Sequence, residues 1–232
     1  MRTAVVALAA GSGARVGAGT NKVLLELRGV PLLCWSLRTI QQAGYGDRVV
    51  LAHRPGDADA VSAATQRHVP GLDPLMVPGG ETRHASEWAA LRALAEPVGA
   101  GLVDVIAVHD TARPLADVEL WRAVVEAAYA HGGALPVRPQ PGLIRTEGAG
   151  RDGLDALVAV QTPQAFRAAP LLEAYRRADR DGFAGTDTAA CVERYADLDV
   201  VAVSAPASNL KVTFPEDLAL AERLQEALRA SR

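Results

Sequence analysis

The segment Val5–Leu25, VVALAAGSGARVGAGTNKVLL, decides how the rest of the chain is read. An apolar strand runs into Gly11 and Gly13, then Arg15, then small and polar residues, then Lys22. Glycines at such a turn let backbone N–H groups come close to phosphate oxygens. The Arg15 guanidinium offers a planar fork for two oxygens, and Lys22 a compact point charge for a third. Two familiar phosphate loops are excluded by the letters themselves. A Walker A loop needs Gly-Lys-Ser/Thr, whereas Asn21 precedes Lys22 and Val23 follows it. The dinucleotide fingerprint needs a third glycine where Val16 stands, which weakens a dehydrogenase reading. On this segment alone, a tight strand-to-helix turn carrying surface charges also accounts for the pattern.

Outward from that loop, short apolar runs alternate with helical patterns. Strands are predicted at 3–9, 48–53, 74–78, 103–110, 133–138, 157–161 and 198–204. Helices are predicted near 31–43, 57–68, 82–96, 116–131, 167–180, 187–195 and 215–230. Nearly all-apolar strands separated by helices imply an α/β fold with a mostly parallel sheet covered on both faces. Ligands bind beyond the carboxyl ends of the strands in such sheets. The exception is 138–156, RPQPGLIRTEGAGRDGLDA, rich in Gly, Pro and charge, which reads as a solvated loop or as a protruding hairpin arm used in dimerisation.

The bulk properties narrow the function classes. A chain of 232 residues suits one domain with a sizeable core, here taken as 1–232. Hydrophobic residues make up 49% and the net charge is −3, so a broad nucleic-acid surface is not indicated. No apolar run approaches the ~20 residues of a membrane span, and no signal-peptide pattern opens the chain. The two cysteines, Cys34 and Cys191, lack metal-ligand spacing and fit a reduced, cytoplasmic setting. Of 24 basic residues only Lys22 and Lys211 are lysines, and both fall inside motif-like segments.

The run LAAGSGARVGAGTNKVLLELRGVPLL resembles the signature of nucleotidyltransferases that make nucleotide-activated sugars and polyols. Later segments narrow the resemblance to the cytidylyltransferases of 2-C-methyl-D-erythritol 4-phosphate and of ribitol 5-phosphate. These are VPGGETRHAS (77–86), VHDTARP (108–114), QTPQAF (161–166), TDTAACVE (186–193) and NLKVTFPEDL (209–218), in the family's order and spacing over residues 3–230. The resemblance implies a Rossmann-like, glycosyltransferase-A-like three-layer sandwich with a protruding β-arm, and a Mg²⁺-dependent homodimer. CTP and a polyol phosphate are the implied substrates. It implies catalytic roles for Arg15, Lys22 and Lys211, with Lys211 bridging the two phosphate-bearing substrates. Ala9, Ala10, Gly11, Gly13, Gly80, Ser86 and Thr111 would bind the nucleotide, Gly80 and Ser86 reading the cytosine. Asp110, Arg113, Thr162 and Thr186 would bind the acceptor.

Each later segment also has a reading of its own. An apolar strand ends at His109–Asp110, which places Asp110 at the ligand edge of the sheet. There it can accept from substrate hydroxyls or help hold Mg²⁺, and Arg113 can pair with a phosphate or fix Asp110; a purely structural Asp–Arg pair also fits. Gly79–Gly80 permits close approach of a nucleobase or merely shapes a turn, and Ser86 begins or caps a helix. His109 reads as a packed strand residue, and His53, His68, His84 and His131 have no identifiable partner. Two places depart from the family. Its Pro-Lys is Asn21–Lys22 here, and its arm residues, Asp-Thr-Ile-Lys and Asp-Arg-x-x-Leu, are replaced by RPQPGLIR and GLDAL. Gln140, Arg145 or Arg151 are the candidates to replace the arm's polar groups. The nucleotide chemistry is therefore better marked than the acceptor, and a non-catalytic nucleotide-binding module is the reading from another class.

Overall fold

The structure, a computed structural model, describes residues 1–11, 21–140 and 157–230. Its centre is Thr3–Ala9 (β1), an all-apolar strand apart from its first residue. Successive side chains of a strand point to opposite faces. Val5, Ala7 and Ala9 accordingly join one core cluster, and Ala4, Val6 and Leu8 the other. The first cluster is covered by helices Leu32–Gln42 (α1), Ala58–His68 (α2) and, later in the chain, Val118–His131. The second is covered by Arg83–Ala93 and by the two helices 168–181 and 188–195. Apolar side chains on both faces are what make a three-layer arrangement favourable, because each face needs its own cover.

Between β1 and α1 lie a single 3-10 turn, Lys22–Leu24, and a small hairpin of Glu26–Leu27 (β2) and Val30–Pro31 (β3). Arg28 and Gly29, with φ of 55° and 73°, supply the two left-handed residues its tight turn requires. The main sheet adds Val49–His53 (β4), Leu75–Pro78 (β5), Val105–Asp110 (β6), Gly132–Pro139 (β7), Val158–Val160 (β8), Gln164–Arg167 (β9) and Asp199–Ser204 (β10). Its order is β10-β7-β9-β6-β1-β4-β5, with β8 paired to β7. β1 runs parallel to both β4 and β6, and β4 to β5, so four strands send their carboxyl ends the same way.

The sequence reading of a mostly parallel sheet holds, with three differences, the first being the β2–β3 hairpin, which lay outside the expected strands. Strand β9 was not expected, since Gln164–Arg167 is four residues long and flanked by Pro163 and a helix. It runs antiparallel between β6 and β7, and its Ala165 and Phe166 enter opposite core clusters. The helix expected over 82–96 is two, Arg83–Ala93 (α3) and Ala95–Gly99 (α4), because Pro97 removes a donor that a continuous helix would need. The remaining helices, Val118–His131 (α5), Ala168–Asp181 (α6), Thr188–Tyr195 (α7) and Pro215–Ala230 (α8), fall where the periodicity places them. Most of 138–156 lies outside the described residues. The strands that lead into and out of it, β7 and β8, pair antiparallel through Val137–Val160 and Pro139–Val158.

The core is tight enough for a single methyl group to register. Ile106 is fully buried in the second cluster, whereas Leu220 on α8 is 49% exposed. Ile106→Val should lower the unfolding free energy by about 0.5–1.5 kcal/mol. Leu220→Ala should change it by less than about 0.5 kcal/mol; urea titrations of both variants test the contrast.

Candidate active site

The carboxyl ends of β1, β4, β5 and β6 open into one cleft of about 580 Å³. Ala10 and Gly11 follow β1, Arg54 and Pro55 follow β4, Gly79 and Gly80 follow β5, and Asp110 and Ala112 come from the end of β6. The cleft therefore straddles the place where the strand order reverses around β1, the position that open α/β sheets reserve for ligands. Lys22 and Lys211, the chain's two lysines, both line it. Residues 189 apart in a chain that otherwise uses arginine converge on the same walls, and that convergence decides against chance placement.

Lys22 is held by its neighbour. Asn21 is fully buried, and its amide nitrogen donates to the Ala9 carbonyl at 2.8 Å and to Asp57 at 2.9 Å. Its oxygen accepts from the Val23 backbone N–H at 3.3 Å, which caps the 3-10 turn. Asn21 has φ −59°, within the range a proline ring fixes. The residue that departs from the family pattern thus restrains the approach to Lys22 by three hydrogen bonds.

Asp110 forms the floor of the cleft between two cations. Arg83 Nη1 donates to its Oδ1 at 2.6 Å, and Lys211 Nζ to its Oδ2 at 2.6 Å. Burial works against the carboxylate's charge, but Arg83 and Lys211 more than offset it and hold the group well below the ordinary carboxylate range. Burial likewise opposes the Arg83 charge, and Asp110 and Glu87 raise that guanidinium above its usual value. Arg113 makes no side-chain hydrogen bond to Asp110, as the sequence suggested it could, although its charge also helps to keep that carboxylate ionised. Its Nη1 donates to the Asn209 carbonyl at 2.8 Å instead, and Arg83 takes the place beside Asp110.

On the opposite wall, Gly79 and Gly80 are required by their surroundings. A Cβ on Gly79 would stand 2.5 Å from Ala10 Cβ and 2.8 Å from Ser86 Oγ, and one on Gly80 2.5 Å from Ala85 Cβ. The Gly80 N–H donates to Ser86 Oγ at 3.1 Å. Ser86 does not cap the helix: Thr82 is the N-cap, its hydroxyl accepting from the Ala85 N–H at 3.0 Å, and α3 begins at Arg83. Ser86 instead sits in the first turn with its hydroxyl on the cleft.

The other expected site residues separate into two groups. Gly11, Gly80, Ser86, Asp110, Lys22, Lys211 and Ala10 line the cleft, and Ala9 lies just behind it at the end of β1. Thr111 is fully buried with its hydroxyl on the Leu8 carbonyl at 2.8 Å, and Thr162 is buried with its hydroxyl accepting from the Asp110 N–H at 3.1 Å. Both brace the β6 end from behind. Thr186 is exposed ahead of α7, away from the cleft lining. Gly13 and Arg15 lie outside the described residues, as do Arg145 and Arg151. Two cationic residues of the cleft escaped the sequence reading, Arg54 and Arg83. Arg83 stood inside VPGGETRHAS, but nothing in the letters paired it with an aspartate 27 positions on.

His109 is confirmed as packing rather than chemistry. It is fully buried between Ser36 Oγ at 3.3 Å and Thr162 Oγ1 at 3.2 Å, and burial drives its pKa from 6.5 to about 3. His84, without a partner in sequence, stacks on Tyr175 at 4.7 Å between ring centres. His53 Nδ1 lies 3.0 Å from the Arg54 carbonyl. Among the described residues no group of three or more His, Cys, Asp or Glu could cage a metal ion. Among the described residues the carboxylates on the cleft are Asp110 and Glu81, a donor set that suits a magnesium ion carried mainly by phosphates and waters.

A parallel sheet whose ligand edge presents two lysines, a glycine-lined wall and a cation-held aspartate defines a nucleotide-handling α/β transferase. Comparison with known families makes this specific. The description of 2-C-methyl-D-erythritol 4-phosphate cytidylyltransferases matches residues 3–226, and the chain belongs to that family. It is 39% identical to the cytidylyltransferase of that name from Symbiobacterium thermophilum, over 96% of this chain and 92% of the relative. It is 34% identical to the one from Bacillus licheniformis, over 98% and 97%. The crystal structure of the 2-C-methyl-D-erythritol 4-phosphate cytidylyltransferase from Thermus thermophilus superposes with a TM-score of 0.76 at 33% identity, covering 97% of this chain and all of the other.

His109 makes the stability depend on pH. The folded imidazole stays neutral down to about 3, whereas the unfolded one binds a proton below 6.5. The unfolded state thus holds more protons in that window, and stability falls as pH is lowered through it. His109→Gln should flatten the slope of the urea midpoint against pH between 6 and 4 (about one proton's worth). An unchanged slope would show that the imidazole is protonated in the fold.

Proposed function

We propose that this cleft joins CTP to 2-C-methyl-D-erythritol 4-phosphate, giving 4-diphosphocytidyl-2-C-methyl-D-erythritol and pyrophosphate, a step of non-mevalonate isoprenoid precursor synthesis. The carrying observation is the meeting of Lys22 and Lys211 across one cleft from Gly80 and Ser86, in a chain that belongs to this family. The acceptor needs no general base. A phosphate monoester with a second pKa near ~6 is largely dianionic at neutral pH and is itself the nucleophile. Its oxygen attacks the α-phosphorus of CTP, the bond to the β-phosphate oxygen breaks, and pyrophosphate leaves with that electron pair.

The work left to the protein is alignment and charge stabilisation. Gly79, Gly80 and Ser86, which line the cleft together, receive the cytosine. Lys22, restrained by Asn21, meets the triphosphate, together with Arg15, which stands between β1 and Lys22 in the sequence. Lys211, anchored on Asp110, lies between the two phosphate-bearing substrates, and Asp110 presents its remaining lone pairs to acceptor hydroxyls. In this reading Arg113 and Thr162 serve the acceptor from behind, bracing the corner that carries Asp110, and Thr111 braces the end of β1 behind the nucleotide, while Thr186, exposed ahead of α7, is not part of the cleft lining. Asp110 would be the carboxylate to help hold a magnesium ion carried on the triphosphate, and such an ion would supply neutralising charge to the leaving pyrophosphate.

The exposed apolar residues Leu157, Val158 and Val160 beside β7 support a homodimer built at the base of the 138–156 arm. Two buried thiols, both pushed up to about 12 by burial, fit a reducing cytoplasm, and no described helix is long and apolar enough to cross a membrane. Steady-state pyrophosphate release from CTP, measured with a panel of polyol phosphates that includes ribitol 5-phosphate, tests the acceptor. Methylerythritol phosphate should give the highest kcat/KM, and its failure to turn over would overturn the assignment. Lys22→Ala and Lys211→Ala should each lower kcat on the order of 10²–10³-fold, and Lys211→Ala should also lower the melting temperature because it takes one cation from the buried Asp110.

A further inference from the structure

Among the described residues, Glu87 is the one carboxylate of the core that the transfer reaction does not explain. It is wholly buried on α3, four residues after Arg83, a spacing that puts the two side chains on one helix face. Its Oε1 accepts from Arg83 Nε at 2.9 Å and from Thr188 Oγ1 at 2.9 Å, and its Oε2 accepts from the Tyr175 hydroxyl. The three donors come from three helices, α3, α7 and α6, so this carboxylate cannot turn without breaking contacts to two neighbouring elements. Tyr175 is itself clamped, stacked on His84 and lying against Trp88. A buried charge of this kind is costly to keep, and a core of apolar residues would serve packing as well or better.

The geometry shows where that rigidity goes. A guanidinium is planar, so fixing its Nε edge fixes the direction of its Nη1. In Arg83 the Nε edge is on Glu87 and Nη1 is on Asp110. Asp110 in turn holds Lys211 through its other oxygen. A continuous line of charge-assisted hydrogen bonds thus runs Glu87–Arg83–Asp110–Lys211, from the middle of the core to the cleft. Burial raises the Glu87 carboxyl, while Arg83 and the hydroxyls of Tyr175 and Thr188 act to keep it charged.

We infer that Glu87 is a positioning residue of the transfer reaction: it locks the Arg83 guanidinium in the plane that orients Asp110, and through Asp110 the Lys211 ammonium, toward the substrates. The inference rests on the cytidylyl-transfer reading above. It requires that Glu87 act on turnover through Arg83 and not through fold stability.

The test is a double-mutant cycle on the full-length enzyme, read as kcat/KM for the acceptor at saturating CTP, with melting temperature recorded for every variant. Glu87→Met keeps the volume and removes the acceptor oxygens. It should lower kcat/KM about tenfold or more in the parent background. In an Arg83→Lys background, where no planar fork remains to be aligned, it should have less than a twofold effect. Glu87→Gln, which keeps an oxygen for Arg83 Nε, should restore activity to within about threefold. Should Glu87→Met fail to fold, Thr188→Val, which removes one hydroxyl from Glu87, carries the same cycle. Unchanged kcat/KM in the folded single variant, or an equal loss with and without Arg83, overturns the positioning role. A parent enzyme that releases no pyrophosphate from CTP with any polyol phosphate would instead overturn the transfer reading, so the two failures are distinguishable.

Discussion

The structure of the site depends on one carboxylate held between two cations. Asp110 ends the most buried parallel strand beside β1, and its two oxygens are taken by Arg83 and Lys211 at equal distances of 2.6 Å. An unpaired aspartate in that position would be neutralised or expelled, because burying a lone charge costs far more than the strand's packing returns. The pairing removes that penalty and sets the geometry at the same time. It brings helix α3 to the cleft through Arg83, and it fixes the extended segment before α8 through Lys211. The Thr162 hydroxyl behind the Asp110 N–H and the Arg113 guanidinium on the Asn209 carbonyl then support the same corner from the side away from the ligand. Catalytic charge and tertiary structure are served here by the same few bonds.

Much of this was legible in the letters, and for identifiable reasons. Strands buried on both faces are apolar throughout, so β1, β4 and β6 announce themselves without alternation. The site positions that could be read were those where residue type and strand end coincide. Asp110 closes an apolar run, glycines follow β1 and β5, and lysine is rare enough in this chain for two of them to be conspicuous. What could not be read depends on contacts between distant segments. The four residues of β9 have no pattern of their own and become a strand only because β6 and β7 flank them. In sequence Arg113, three residues on, is the partner that suggests itself for Asp110, and only the packing of α3 against the sheet brings Arg83 to that carboxylate. Glu87 looks like any acid on a surface helix until Tyr175 and Thr188 enclose it.

The same contrast explains the residue before Lys22. In sequence, asparagine in place of proline suggests a looser approach to the lysine. In the fold its amide reaches the end of β1, the backbone of the 3-10 turn and Asp57, which also receives Arg54 from the far rim of the cleft. Proline rigidity is local and covalent, whereas this restraint is assembled from three parts of the chain. It couples the lysine turn to the β4 loop, a link that a pyrrolidine ring does not provide.

The scarcity of lysine has a practical side. Apart from its amino terminus, the chain carries only two primary amines, and both stand on the walls of the cleft. Lys211 keeps about a third of its side chain exposed, whereas Lys22 is almost covered. An amine-directed label would therefore record the state of the cleft with little background from the rest of the surface. The mass added to the intact chain would distinguish an open cleft from one whose occupant shields either ammonium, which gives this protein a built-in chemical reporter of ligand occupancy.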